Sequence, residues 1–518
     1  MTLGTTAHPP VRRIATRLSA SRRVAASWLG IGLLVFLLGA GWAGAVPLMA
    51  SPDEPSHVVR AAAVARGQLS GELGEAPSDA LRPGAATTVQ LPRDYAASVA
   101  LPNCFAFQPE VPAACQQDVA PPDGSVVPVE TFAGQYPPLY YALVGWPSLF
   151  LGAEAGIYAM RLVSAALAAG LLTWGAFRLR TSLGRATSPW VVALAITPMC
   201  LFFGATVNPQ GLEIASAFSL WAACLALATD RRGPSGAMLV QAAVSGSVLI
   251  NLRASSPFWA LAIVAVAVVM APPGRLREVF RHPWARWVVA ITVAASATAV
   301  AWLLTHRDVV STEGLFPQYR DLRESGLALT GHTYEYLLNM VGNFGWLDSP
   351  APPLTFVSWF VVGGAVLVLA LVVPSPRRQR LALVLVLLGV GTAPFVLQLP
   401  TAVDTGIIWQ GRYALPVAVG IPVVAGVLLA GQVGPLATMV GRLGRVLVPI
   451  LLVAHVAAFW WASRRYAEGL TGELFTISPD WSSPIGYLPG TALYAMVAAT
   501  LAAAAWRSLH AVPSIDQT

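Results

Sequence analysis

Where the chain leaves its first apolar stretch it reads P-L-M-A-S-P-D-E-P-S-H from Pro47 to His57. Two adjacent carboxylates, Asp53 and Glu54, thus stand where a helix exits a bilayer, and charges at that depth are costly unless used or paired. Adjacent like charges and partial desolvation both raise a carboxyl pKa, moving one acid toward the range of a general base. The residues alone equally admit a helix cap: Ser51, Asp53 or Ser56 can each open the next helix, whose dipole favours acids at its start. Asp53, Glu54 and His57 also form a candidate face for a divalent cation, although no further strong ligand completes it and no metal site is assigned. A structural role is the plainer reading of His57.

Two later segments have the same character. Q-Y-P-P-L-Y-Y runs from Gln135 to Tyr141 and either contributes Tyr136 to a site or forms part of an interfacial aromatic belt. Q-G-R-Y runs from Gln410 to Tyr413 at the start of an apolar stretch, with Asp404 shortly before it. A guanidinium at Arg412 can grip a phosphate through two parallel hydrogen bonds; the alternative is an interfacial arginine that snorkels or pairs with Asp404. Arg161, Arg253 and Asn208 stand at further helix ends on the same side and carry the same ambiguity. Cys104 and Cys115 fall in one long loop on that side, an oxidising compartment for a bacterial inner-membrane protein, which predicts a disulfide between them. Cys200 and Cys224 lie in apolar runs and read as packing residues. The chain has no CxxC, HExxH, Walker A or strand-borne GxGxxG pattern, so nucleotide-driven chemistry has no support.

The elements that must position these residues follow from composition. Of 518 residues, 56% are hydrophobic and 11% charged, against about 25% charged in soluble domains, and mean hydropathy is +0.63. A conventional soluble enzyme is excluded. Apolar runs predict twelve spans, near 28–48, 157–177, 187–206, 211–229, 236–250, 255–272, 286–304, 353–373, 381–399, 413–432, 446–463 and 487–505, with 236–250 and 255–272 the least marked. All 32 basic residues are arginine, which with abundant alanine suggests a GC-rich bacterial genome.

Arg12, Arg13, Arg17, Arg22 and Arg23 place the amino terminus in the cytoplasm. About 20 arginines and 3 acids then fall inside, against about 12 arginines and 22 acids outside. The apolar stretch Leu139 to Leu151 would invert this pattern as a span, so it reads as a juxtamembrane helix on the outer face. Arg22-Arg23 resembles a twin-arginine export signal cleaved after Ala50, but the many spans that follow favour a retained anchor. The expected organisation is a cytoplasmic basic segment (1–27), a polytopic domain (28–505) and a cytoplasmic tail (506–518). Long outer loops cover about 49–156 and 305–352. In the first, Pro- and Gly-rich stretches (Ala76 to Gly84, Val119 to Val127) suggest irregular sections around short helices, and Ser56 to Leu69 reads as one such helix.

The combination resembles the GT-C superfamily of polytopic glycosyltransferases, which use polyprenyl-phosphate-linked sugars. More narrowly it is similar to a branch of bacterial membrane proteins with P-x-D-E-x-x-H after the first span and a late Q-G-R-Y. Here these are Ser51-Pro52-Asp53-Glu54-Pro55-Ser56-His57, with proline one position nearer the acids, and Gln410-Gly411-Arg412-Tyr413. Tyr136-Pro137-Pro138-Leu139 and Arg161-Leu162 resemble the P-P-L and R-L elements of protein mannosyltransferases and aminoarabinose transferases, where lysine often stands at the position of Tyr136. The resemblance implies an all-α, GT-C-like integral membrane fold acting at the outer face of the bacterial cytoplasmic membrane. It implies that Asp53 is the catalytic base and that Glu54 assists or orients it. It implies that Arg412 binds the phosphate with Gln410 and Tyr413, helped by Arg253 or Arg161, with His57 and Tyr136 beside the substrate. The partners would be a polyprenyl-phosphate-linked sugar, a glycan, lipid or protein acceptor, and the lipid bilayer. The competing readings are a lipid-linked saccharide transporter or flippase and a non-catalytic envelope-assembly protein; nothing favours nucleic-acid binding.

Overall fold

The computed structural model describes residues 10–75, 85–306 and 321–510. Residues 1–9, the Pro- and Gly-rich stretch at 76–84, residues 307–320 and the end of the tail lie outside them. Apolar helices dominate. The chain opens with α1 (Pro10–Ala45) and α2 (Glu54–Ala65), passes α3 (Arg93–Ala97) and α4 (Leu139–Val144), and enters α5 (Ala153–Leu183). There follow α6 (Ser188–Ala195), α7 (Pro198–Gly204), α8 (Pro209–Thr229), α9 (Gly236–Ile250), α10 (Ser256–Met270), α11 (Arg275–Arg281) and α12 (Ala285–Thr305). Beyond 320 come α13 (Leu322–Gly331), α14 (Thr333–Val341), α15 (Pro353–Val372), α16 (Arg377–Leu397), α17 (Ala402–Thr405), α18 (Leu415–Ala418), α19 (Gly420–Ala430), α20 (Gly434–Glu468) and α21 (Tyr487–His510).

Each of the twelve expected spans has helical counterparts, but they differ in kind. Among the described residues nine helices are long and apolar enough to cross a membrane, or ten if α10 and α11, bent by 119° at their junction, count as one. The span expected at 187–206 is two short helices, α6 and α7. Pro198 opens α7, and a residue before proline is pushed out of the helical region, so Thr197 is extended. α9 has only 15 residues. Leu139 to Leu151 holds α4 and a 3-10 turn (Trp146–Leu149), each far too short to span.

α8 is the centre of the bundle: it is buried nearly throughout and packs on α5, α9, α10 and α19. Asn208 caps it, its side-chain oxygen accepting from the Gln210 amide at 3.0 Å, and Pro209 occupies the first turn where no donor is needed. A second packing centre gathers Trp42, Phe202, Phe344, Phe459 and Tyr494, with the Trp42 indole donating to the Tyr494 hydroxyl at 3.2 Å.

The long first loop carries strands that hydropathy did not reveal. β1 (Glu72–Glu75), β2 (Ala85–Pro92) and β3 (Val126–Thr131) form an antiparallel sheet in that order, with Val89 opposite Val129; β4 (Asn343–Phe344) and β5 (Ser349–Pro350) form a small second one. Cys104 and Cys115 are joined by a disulfide, their Cα atoms 6.0 Å apart. The loop is bound to the bundle by Arg465 at the end of α20, which donates to the carbonyls of Phe105, Gln108 and Val111. α2 rests on the turn after α4, where Gly145 faces the Ala61 carbonyl so closely that a Cβ would collide with it.

Candidate functional site

Asp53 and Glu54 stand at the start of α2 and turn opposite ways. Asp53 adopts the left-handed conformation (φ 65°), which Asp and Asn tolerate better than most residues. Its carboxylate makes no capping bond; instead Arg412 Nη2 donates to Asp53 Oδ2 at 3.0 Å, and 18% of the Asp53 side chain remains accessible. Glu54 is fully buried. Arg161 on α5 donates from Nε and Nη2 to its two oxygens, at 2.7 and 2.6 Å, and the Val207 amide donates to Oε1 at 3.0 Å. Arg161 in turn donates to the carbonyls of Ala43, Val46 and Pro47, so all five of its N–H groups are occupied by protein.

Arg412 reaches Asp53 from a single 3-10 turn (Gly411–Ala414) between α17 and α18. It is buried over the Phe203 ring (4.7 Å) and beside Tyr413 (5.0 Å). Nε donates to Gln410, Nη1 to Gln210 at 2.7 Å, and the Gln210 amide returns a bond to the Arg412 carbonyl at 2.7 Å. Two of its five N–H groups have no protein acceptor among the described residues. The Asp404 side chain, the expected alternative partner of Arg412, lies outside the described residues. Gly411 explains the motif's glycine: a Cβ there would stand 1.8 Å from the Tyr336 carbonyl oxygen, so only glycine lets α14 close over the turn.

Arg253, in the link between α9 and α10, completes a second cationic centre. It sits 4.8 Å over the Tyr413 ring and 5.9 Å from Tyr136. It also reaches Glu213 at 3.5 Å, whose other oxygen accepts from Ser256 at 2.6 Å. His57 shares a 2.9 Å hydrogen bond between Nδ1 and the Tyr141 hydroxyl and meets the Tyr136 ring edge to face. Burial pushes the Tyr141 phenol well above its usual range, so it stays neutral. Arg60, one turn along α2, lies fully buried between the Tyr141 and Trp302 rings and donates to the Tyr136 carbonyl at 3.2 Å. Burial lowers its pKa.

The site residues expected from sequence therefore divide. Asp53, His57, Tyr136, Arg253, Gln410, Arg412 and Tyr413 come together through direct contacts, whereas Glu54 and Arg161 form a buried anchor beneath them. Asp53, Glu54 and His57 do not converge, and no group of three or more His, Cys, Asp or Glu side chains able to hold a metal ion occurs among the described residues. Gln210, Glu213 and Arg60 are additions. Glu213 carried a signal, an acid a few residues into an apolar run; Arg60 and Gln210 had none beyond their neighbours.

No curated protein sequence matches the chain. Among solved structures it is similar to ArnT from Cupriavidus metallidurans, crystallised with undecaprenyl phosphate, at 14% identity over 94% of this chain and 78% of that one, with a TM-score of 0.41. A family model described as a predicted membrane protein matches residues 36–421, a stretch that opens before Asp53 and closes beyond Tyr413. Every residue of the cluster falls within that match, and the chain belongs to the DUF2142 family of predicted membrane proteins.

Proposed function

We propose that the protein is an inverting glycosyltransferase that moves a sugar from a polyprenyl-phosphate donor to a cell-envelope acceptor at the outer face of the cytoplasmic membrane. The observation that carries this reading is the pairing of Asp53 with Arg412 across 359 residues of chain, beside a second guanidinium, Arg253. A partly accessible carboxylate beside two cations suits a direct displacement written from these side chains. Asp53 takes the proton of an acceptor hydroxyl, and the oxygen attacks the anomeric carbon from the face opposite the phosphate. The bond between that carbon and the phosphate oxygen breaks, and polyprenyl phosphate departs with the electron pair.

Arg412 and Arg253 receive the charge that develops on the leaving group, and stabilisation realised mainly in the transition state is what accelerates the step. Arg161 is given a different role from the phosphate contact expected by resemblance, because its donors are already filled. Glu54 orients rather than reacts: its bonds to Arg161 and Val207 fix the start of α2 and so the direction of Asp53.

The test is envelope-glycan composition by mass spectrometry in a deletion strain complemented with wild type, Asp53→Asn or Arg412→Ala at matched membrane levels. Asparagine tolerates the left-handed backbone of Asp53 and keeps an oxygen able to accept from Arg412, so Asp53→Asn removes the base and its charge with little change of shape. Wild type is expected to restore a missing sugar, and Asp53→Asn to lower the rate by about 10²-fold or more. Full restoration by Asp53→Asn overturns the transferase reading in favour of a transporter or an assembly protein.

A further inference from the structure

Away from Asp53 and Arg412, at the arginine-rich end of the bundle, α1 and α5 part. An open groove of about 620 Å³ there is walled by Trp28 and Phe177, whose rings meet edge to face at 5.2 Å, and is flanked by Arg180 and Arg185. Trp28 and Arg180 also line a second cavity, of about 240 Å³, that continues between α1, α5, α6, α20 and α21. Its walls are almost wholly apolar, with Ile31, Leu172 and Leu501 among them. Arg180 and Arg185 have no carboxylate partner among the described residues, whereas neighbouring Arg232 is held by Asp230 at 2.7 Å and by the Thr181 carbonyl.

Two guanidiniums without a counter-charge at the mouth of an apolar cavity match the two halves of an anionic lipid. The depth agrees. Arg161, beneath the candidate active site, and Arg180 lie 19 residues apart on α5, about 30 Å at 1.5 Å per residue, which is the thickness of a bilayer's hydrocarbon core. Arg180 therefore stands at the headgroup level of the leaflet opposite the candidate active site. We propose that this groove and cavity bind an anionic glycerophospholipid of that leaflet, its phosphate on Arg180 and Arg185 and an acyl chain in the apolar cavity. A polyprenyl phosphate poised for transfer would occupy the other leaflet, so the two lipids do not compete for one place.

Native mass spectrometry of the full chain with dioleoyl phosphatidylglycerol, dioleoyl phosphatidylcholine or undecaprenyl phosphate tests this. Phosphatidylglycerol adducts are expected to exceed phosphatidylcholine adducts. They should fall roughly thirtyfold in Arg180→Gln/Arg185→Gln, the order expected for two lost surface charges, and persist in Arg180→Lys/Arg185→Lys. Ala176→Phe, which fills the apolar cavity without touching either charge, should lower them as well. Should the glutamine pair not fold, the lysine pair and Ala176→Phe carry the same comparison. Equal occupancy by phosphatidylcholine, phosphatidylglycerol binding unaffected by these variants, or arginine dependence confined to undecaprenyl phosphate would each overturn the proposal.

Discussion

Glu54 and Arg161 have no accessible side-chain surface, and the guanidinium meets both carboxylate oxygens while filling its remaining donors with the carbonyls that end α1. Breaking a buried pair from one side strands the other charge, at a cost of about 3–5 kcal/mol. Glu54→Gln is therefore expected to lower the thermal unfolding midpoint of the purified protein far more than Asp53→Asn, because Arg161 meets both Glu54 oxygens with neither side chain accessible, whereas Asp53 holds Arg412 through a single bond and is itself partly accessible. A double change to Glu54→Leu/Arg161→Met should be milder than Glu54→Gln alone, because apolar replacement of both partners removes the stranded charge. An unfolding midpoint for Glu54→Gln equal to that of wild type would show that the pair does not anchor α2. At this scale the sequence marked residues that the fold brings into contact and left their division of labour open: adjacency of two acids says nothing about which faces Arg161 and which Arg412.

Elements bring those residues together, and glycines set how closely. The turn bearing Arg412 lies under α14, with Gly411 against the Tyr336 carbonyl. Gly411→Ala is expected to lift α14 from the turn, seen as faster amide hydrogen exchange over Thr333–Val341 and loss of activity together. Gly364→Ala, on α15 with no neighbour within 4 Å of the new methyl group, should change neither. Unaltered exchange in Gly411→Ala would mean that the close approach does not govern docking. Apolar periodicity exposed the long helices because their burial is continuous along the chain. It could not expose β1 to β3, where alternation is weak and pairing joins Thr87 to Thr131 across 44 residues, nor the split of α6 from α7, which a single Pro198 imposes.

For the whole molecule, chain order alternates the helix ends. The link after α1, the start of α5, the start of α8, the link between α9 and α10 and the turn before α18 meet at one end of the bundle, around Arg412. The link after α5, the turn after α8 and the link from α15 to α16 meet at the other, where Thr181, Arg232 and Pro376 line one cavity. The arginine bias visible in the sequence maps onto this second end. A membrane-impermeant thiol reagent applied to intact cells is expected to label Thr330→Cys, exposed on α13, and not Arg377→Cys, exposed at the start of α16. The reverse pattern would turn the protein over and place the cluster in the cytoplasm.

The bond between Asp53 and Arg412 also sets a clock on synthesis. Its two ends are 359 residues apart, so at about 5–20 residues per second the partner of Asp53 leaves the ribosome roughly twenty to seventy seconds after it. Glu54 meets Arg161 after only 107 residues, so the anchor is complete while most of the bundle has yet to be made. α2 is thus fixed early, and a chain truncated before Gln410 would lack Arg412, the guanidinium that reaches the Asp53 carboxylate at 3.0 Å.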